Sequence, residues 1–147
     1  MQKNKTDYDK LKITEGKHWE ICLHKNQYFL GRVYLWAKRT DASDLMDITQ
    51  AEQQEFFELG KKVRDALTSL FQPDLFNYAA FGNDARHLHI HIIPRYETAR
   101  SFAGITFRDG RWGKNYAPYD YDFKISEDKL LQVRDAIRTE MEKHGIC

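Results

Sequence analysis

The sequence predicts an α+β fold, an antiparallel sheet of about five strands with two main helices on one face. Three observations predict it. Apolar periodicity changes along the chain in the order strands, helix, strands, helix. The strand-like segments come in neighbouring pairs that can close as hairpins. No repeat and no linker divides the 147 residues, so a single domain is expected.

The elements follow in order. Residues 1–16 are polar and charged and are read as an N-terminal arm, with the domain proper at 17–147. Its core is placed at 19–96, followed by an irregular segment and a helix at 97–147. From His18 to His24, Trp19, Ile21 and Leu23 alternate with Glu20 and Cys22, the period of a half-buried strand. Asn26 and Gln27 suit a turn, and Gly31 to Ala37 is a second strand rich in β-branched and aromatic residues. Thr49 followed by Glu52 is a capping box, and Phe56, Leu59, Val63, Leu67 and Leu70 then form one helical stripe that ends before Pro73. Asp74 to Phe81 is a third strand, residues 82–86 a tight loop, and His87 to Pro94 a fourth strand expected in the sheet interior. Residues 97–122 lack a clear period. Ser126 caps a last helix whose apolar positions are Leu130, Val133, Ile137 and Met141, with Gly145 past its end.

Composition excludes several classes. A formal net charge of +1 gives no reason to expect a nucleic-acid surface. Cys22 and Cys147 are the only cysteines, too few for a disulfide framework or a Cys-based zinc site. No run approaches the roughly 18 apolar residues of a membrane span, and the N-terminus lacks a signal-like apolar stretch. A cytoplasmic protein without membrane contact is expected.

The informative stretch is His87-Leu-His-Ile-His-Ile-Ile-Pro-Arg95. Alternation puts His87, His89 and His91 on one face and Leu88, Ile90 and Ile92 on the other. Imidazole can attack phosphorus, exchange protons near neutral pH, or bind metal. Three on a straight strand are too extended to converge on one metal without a bend. The crowd of aromatics at Trp19, Tyr28, Phe29, Tyr34 and Trp36 serves core packing, dimer packing or base stacking.

The run HLHIHII resembles the His-φ-His-φ-His-φ-φ signature of the histidine triad (HIT) family, in its dinucleoside-polyphosphate-hydrolase-like branch. The likeness extends to NYAAFGNDAR (77–86), Pro94-Arg95-Tyr96 and LGRVYLWAKR (30–39), with a weaker echo at Arg111-Trp112-Gly113. It implies a HIT-like domain that acts at the α-phosphate of a purine nucleotide. The candidates are a dinucleoside polyphosphate, a nucleoside phosphoramidate and an adenylylated compound. By the resemblance, His89 is the nucleophile that forms a nucleotidyl–histidine intermediate. His87 and His91 hold phosphate oxygens and manage protons, and Asn77 and Asn83 help cradle the phosphates. It also implies a homodimer, no required cofactor and no resident metal; a divalent metal ion would enter only with a polyphosphate substrate. Arg32 and Thr40 stand where many members carry further histidines, which bears on leaving-group preference. Arg32 is either a bidentate phosphate ligand or a solvated strand residue. Trp112 either covers the site or pins its loop. Two readings from other classes stand beside the enzyme: a nucleotide-binding regulatory module with little catalysis, and a metal-binding protein using the same histidines.

Overall fold

A computed structural model describes residues 9–83 and 85–145. Five strands form one antiparallel sheet: β1 (Lys12–Glu15), β2 (Trp19–Leu23), β3 (Val33–Ala37), β4 (Leu75–Ala79) and β5 (His89–Arg95). Their order across the sheet is β1-β2-β3-β5-β4, so β5 is interior and β4 an edge. Two helices, α1 (Gln50–Phe71) and α2 (Glu127–Lys143), accompany them. A second, two-stranded sheet is the hairpin β6 (Arg100–Phe102) and β7 (Ile105–Phe107).

The expected hairpins form: β2 pairs with β3 and β4 with β5, and β3–β5 pairing joins them. Period two then sorts the sheet's faces. Ile21, Leu23, Val33, Leu35, Ile90 and Ile92 are buried with Leu59, Val63, Ala66 and Leu67 of α1 and with the apolar stripe of α2. Burying each such side chain fully is worth about 1.5–3 kcal/mol. A one-residue slip of β5 would turn His89 and His91 into that layer, so burial of the aliphatic face fixes where the histidines point. α1 starts at the expected capping box: Glu52 N–H donates to Thr49 Oγ1 at 3.1 Å, and Thr49 N–H to Glu52 Oε1 at 2.8 Å. Gly31, at φ +85°, turns the chain into β3; a Cβ there would lie 2.9 Å from Leu67 of α1.

Three sequence expectations need correction. Part of the segment read as a polar arm is strand β1, with Leu11 and Ile13 buried and Arg138 of α2 donating to the carbonyls of Lys12 and Ile13; its first eight residues lie outside those described. The triad strand begins at His89, not His87, because pairing with β3 ends at Trp36↔His89. Leu88 instead bonds the chain on either side, donating to Ala42 O and accepting from Ala37 N–H. Finally, the stretch read as irregular contains β6–β7, whose turn at Ala103 and Gly104 has positive φ at both positions, as tight hairpins require. No helix among the described residues is long and apolar enough to cross a membrane.

Candidate active site

Register assembles the site on the sheet face opposite α1. Trp36 sits across from His89 and Tyr34 across from His91. The His89 and His91 rings lie 5.0 Å apart. Trp36 stacks on His87 at 4.4 Å with 22° between planes, and on His89 at 5.5 Å with 29°. The indole therefore ties His87 to the triad although His87 precedes the strand.

Each histidine has one ring nitrogen committed, and the partner fixes the tautomer. His89 Nδ1 lies 2.8 Å from the carbonyl oxygen of His87. A carbonyl only accepts, so Nδ1 carries the proton and Nε2 presents a lone pair. His87 Nε2 donates to the carbonyl of Ala37. His91 Nδ1 lies 3.3 Å from Arg32 Nη2. A guanidinium only donates, so this nitrogen accepts and the proton of neutral His91 sits on Nε2. Burial, and then the positive charge of Arg32, push His91 down to about 2, so it is neutral at physiological pH.

A fourth histidine joins the site. The His24 ring, just past β2, is 5.6 Å from that of His91. Its Nδ1 accepts from Asn26 N–H at 3.1 Å. Burial, followed by Arg32, lowers it to about 3. In the sequence His24 is marked only as the end of the first strand segment. The one available signal was its place at the end of a strand that runs beside the triad's neighbour, and that pairing is not visible before the sheet order is known.

The other expected residues are distributed unevenly. Arg32 is in the site, 4 % exposed, and so is not a solvated strand residue. Asn77 shares the histidine face, opposite Ile93, but its Oδ1 accepts from Arg95 Nη1 at 2.9 Å. That bond makes it part of a latch in which Arg95 grips Asp109 and the carbonyls of Arg111 and Lys114. Asn83 is exposed in the turn after β4, and Thr40 is exposed after β3. The latch holds residues 109–114, and Asn26 Nδ2 holds the carbonyls of Asp120 and Tyr121. Between these ties, Tyr119 receives a hydrogen bond from Arg32 Nη1 at 2.9 Å, and Tyr116 lies 5.4 Å from the guanidinium. These tyrosines border the site at Arg32, in the segment from which Trp112 was the sequence candidate for a cover.

A groove of about 680 Å³ lies elsewhere, between α1 and the β4 edge, lined by Met46, Phe56, Phe57, Tyr78, Ile90 and Ile92. The two isoleucines place it on the face opposite the histidines, so it is not where His89 would meet a phosphate. Among the described residues, no group of three or more His, Cys, Asp or Glu side chains is placed to hold a metal ion.

Comparison with known proteins adds the following. A family model described as HIT domain matches residues 5–98. Bis(5'-adenosyl)-triphosphatase from Saccharomyces cerevisiae is 32 % identical over 72 residues, 46 % of this chain and 35 % of that one. AP-4-A phosphorylase from Mycobacterium tuberculosis is 27 % identical over 106 residues, 68 % of this chain and 54 % of that one. The match thus spans about a third to a half of these curated relatives. Among solved structures, a histidine triad protein from Bradyrhizobium japonicum superposes with a TM-score of 0.72 at 20 % identity, covering 88 % of this chain and 89 % of that one. A HIT protein from Sinorhizobium meliloti gives 0.74 at 18 % identity, covering 88 % of each. A Zn-bound histidine triad family protein from Mycobacterium smegmatis gives 0.59 at 18 % identity, covering 92 % of this chain and 86 % of that one. At these identities the structural likeness is one of fold.

Proposed function

Because the chain belongs to the HIT domain family, we propose that it is a nucleotide hydrolase or transferase acting at an α-phosphate through a covalent nucleotidyl–histidine intermediate. The observation that carries this reading is the tautomer of His89, with Nδ1–H held by the His87 carbonyl and the Nε2 lone pair presented. A preset lone pair is what an imidazole nucleophile needs. His91, whose Nε2 carries the proton, donates to a phosphate oxygen, and His87 acts from the other side of His89. Arg32 supplies positive charge. Asn83 is retained as a loop residue near the phosphates; Asn77 is assigned to the latch. Nε2 of His89 bonds to phosphorus as the leaving group departs, and water then releases a nucleoside monophosphate and restores the histidine. Donors fixed before the reaction cost no reorganisation when charge develops, which favours this arrangement over solvent.

The names of the curated relatives support a purine nucleotide, with adenosine polyphosphates first among substrates. No cofactor is required in this scheme; a divalent cation enters with the polyphosphate. The test is single-turnover mixing with diadenosine triphosphate or adenosine phosphoramidate, followed by mass spectrometry. One adenylyl group on a peptide containing His89, followed by AMP release, is expected. Tight binding without adduct or product would make the protein a binding module and overturn the enzyme reading.

We also propose a homodimer. Among the described residues β4 has a strand on one side only, and an open edge needs cover. Beside it, Phe57 (61 % exposed), Met46 and Tyr78 leave a continuous apolar surface over the groove. A second copy turned by a two-fold would pair edge with edge and fill groove with helix. Light scattering is expected to give twice the chain mass, and Tyr78→Lys with Phe57→Glu to give the monomer. A monomer for the parent protein across micromolar concentrations would refute it.

A further inference from the structure

Two arginines on the histidine face are buried almost equally, Arg95 at 3 % and Arg32 at 4 % exposure. Their surroundings differ in kind. Arg95 meets the carboxylate of Asp109 through Nε and Nη2, at 2.7 and 3.2 Å, and three further oxygens take its remaining donors. Arg32 has an imidazole nitrogen and a phenol, the rings of Tyr116 and Tyr119 at 5.4 and 5.3 Å, and no carboxylate in any ion pair among the described residues. Its Nε is buried with no hydrogen-bond partner among the described residues. A buried cation without a counter-ion is costly, and an unmet buried donor adds to that cost. Tyrosine faces offset part of it by cation–π attraction, but neither ring supplies an acceptor for Nε.

We infer that Arg32 and Tyr119 form a binding subsite for an anionic leaving group, the phosphate that follows the one His89 attacks. This rests on the proposed reaction and names its substrate class: phosphoric anhydrides, such as nucleoside polyphosphates, in preference to phosphoramidates with an uncharged amine. Position supports the assignment. At one end of the triad, Trp36 covers His87 and His89 with an uncharged ring. At the other end, past His91, stands Arg32 with its full charge. An oligophosphate anchored at His89 is drawn towards that end. In the step concerned, Nε2 of His89 forms a bond to the α-phosphorus while the bond from phosphorus to the bridging oxygen breaks. The electron pair leaves on that oxygen, and the added negative charge falls on the departing phosphate. Arg32 donates to it, as does the Tyr119 hydroxyl, which accepts from Nη1 and retains its own proton for donation. Water later takes the place of Nε2 on phosphorus and releases a proton.

The experiment compares parent protein, Arg32→Gln and Tyr119→Phe on two substrates that transfer the same adenylyl group, diadenosine triphosphate and adenosine 5'-phosphoramidate. The calorimetric affinities of ADP and AMP are measured alongside. For Arg32→Gln, kcat/KM on the triphosphate should fall by roughly 10²-fold or more, the scale of one lost charge-stabilising donor, and by about tenfold more than on the phosphoramidate, whose loss comes only through the contact of Arg32 with His91. Tyr119→Phe should lose in the same direction by less. The parent should bind ADP more tightly than AMP, and Arg32→Gln should erase the difference. Equal losses on both substrates, or no loss, would overturn the subsite. So would parent protein that binds ADP and AMP alike. If the parent hydrolyses neither substrate, yet its ADP preference disappears with Arg32, the catalytic reading fails and the subsite stands. Should Arg32→Gln not fold, Arg32→Lys and Tyr119→Phe decide the matter on the same ratios.

Discussion

Replacing His89 by alanine is expected to abolish turnover while nucleotide binding survives. Only His89 combines a central place in the row with a proton held by a backbone carbonyl and an outward lone pair on Nε2. His91 cannot take the role without changing tautomer, because Arg32 occupies its Nδ1 and the proton is on Nε2. His87 has its Nε2 tied to Ala37 and its ring covered by Trp36, which leaves Nδ1, the nitrogen crowded by its own Cβ. Deleting a nucleophile removes a covalent step, whereas deleting a donor leaves a slower version of the same path. The loss for His89→Ala should therefore exceed the roughly 10²–10³-fold that removal of one charge-stabilising donor costs. His87→Ala and His91→Ala should lie nearer that range. Steady-state kinetics on the three variants, beside calorimetric binding of a non-hydrolysable nucleotide, checks this. Near-normal turnover in His89→Ala with a dead His87→Ala or His91→Ala would reassign the nucleophile, and three active variants would remove the active site altogether.

The parts of this site that were legible in the sequence are those that local rules determine. Alternation at His87 to Ile92 announced a face, and the aliphatic partners Ile90 and Ile92 do lie in the core. The Thr49–Glu52 box and the stripe of α1 are likewise local and form as read. Features decided by tertiary contact were not legible. Strand β1 is four residues long, and its one buried side chain, Ile13, stands among Lys12, Thr14 and Glu15, too little alternation to distinguish from a polar arm. His87 has the right spacing for the strand yet lies outside it, because Leu88 bonds with Ala37 and Ala42. His24 meets His91, and Arg32 meets Tyr119, across 67 and 87 residues of chain. No periodicity reports such meetings. Asn77 shows the same limit: the pattern puts it on the histidine face, but only the fold shows Arg95 reaching its Oδ1.

The largest expected loss of stability comes from that same arginine's partner. Asp109→Ala should destabilise the protein by about 3–5 kcal/mol, because it leaves the Arg95 charge buried and uncompensated. Both side chains are nearly inaccessible, at 3 % and 0 % exposure, so water cannot take the carboxylate's place without opening the structure. The carboxylate also accepts from Tyr96 N–H at 3.1 Å and Arg111 N–H at 2.9 Å, joining the end of β5 to the segment that carries Tyr116 and Tyr119. By contrast, removing an exposed pair such as Arg64–Asp65 should cost well under about 1 kcal/mol, since solvent screens it. At the usual scale for a domain near this size, about 2–4 °C per kcal/mol, Asp109→Ala should lower Tm by roughly 10 °C. Charge, not lost volume, is the cause, so a double variant Arg95→Met with Asp109→Leu should regain much of the stability that either single change loses. Urea unfolding of the two single variants and the double reads this directly. Losses below about 1 kcal/mol in the singles, or a double variant as weak as their sum, would mean that the pair is not an isolated buried charge system and that the segment is held by its other bonds.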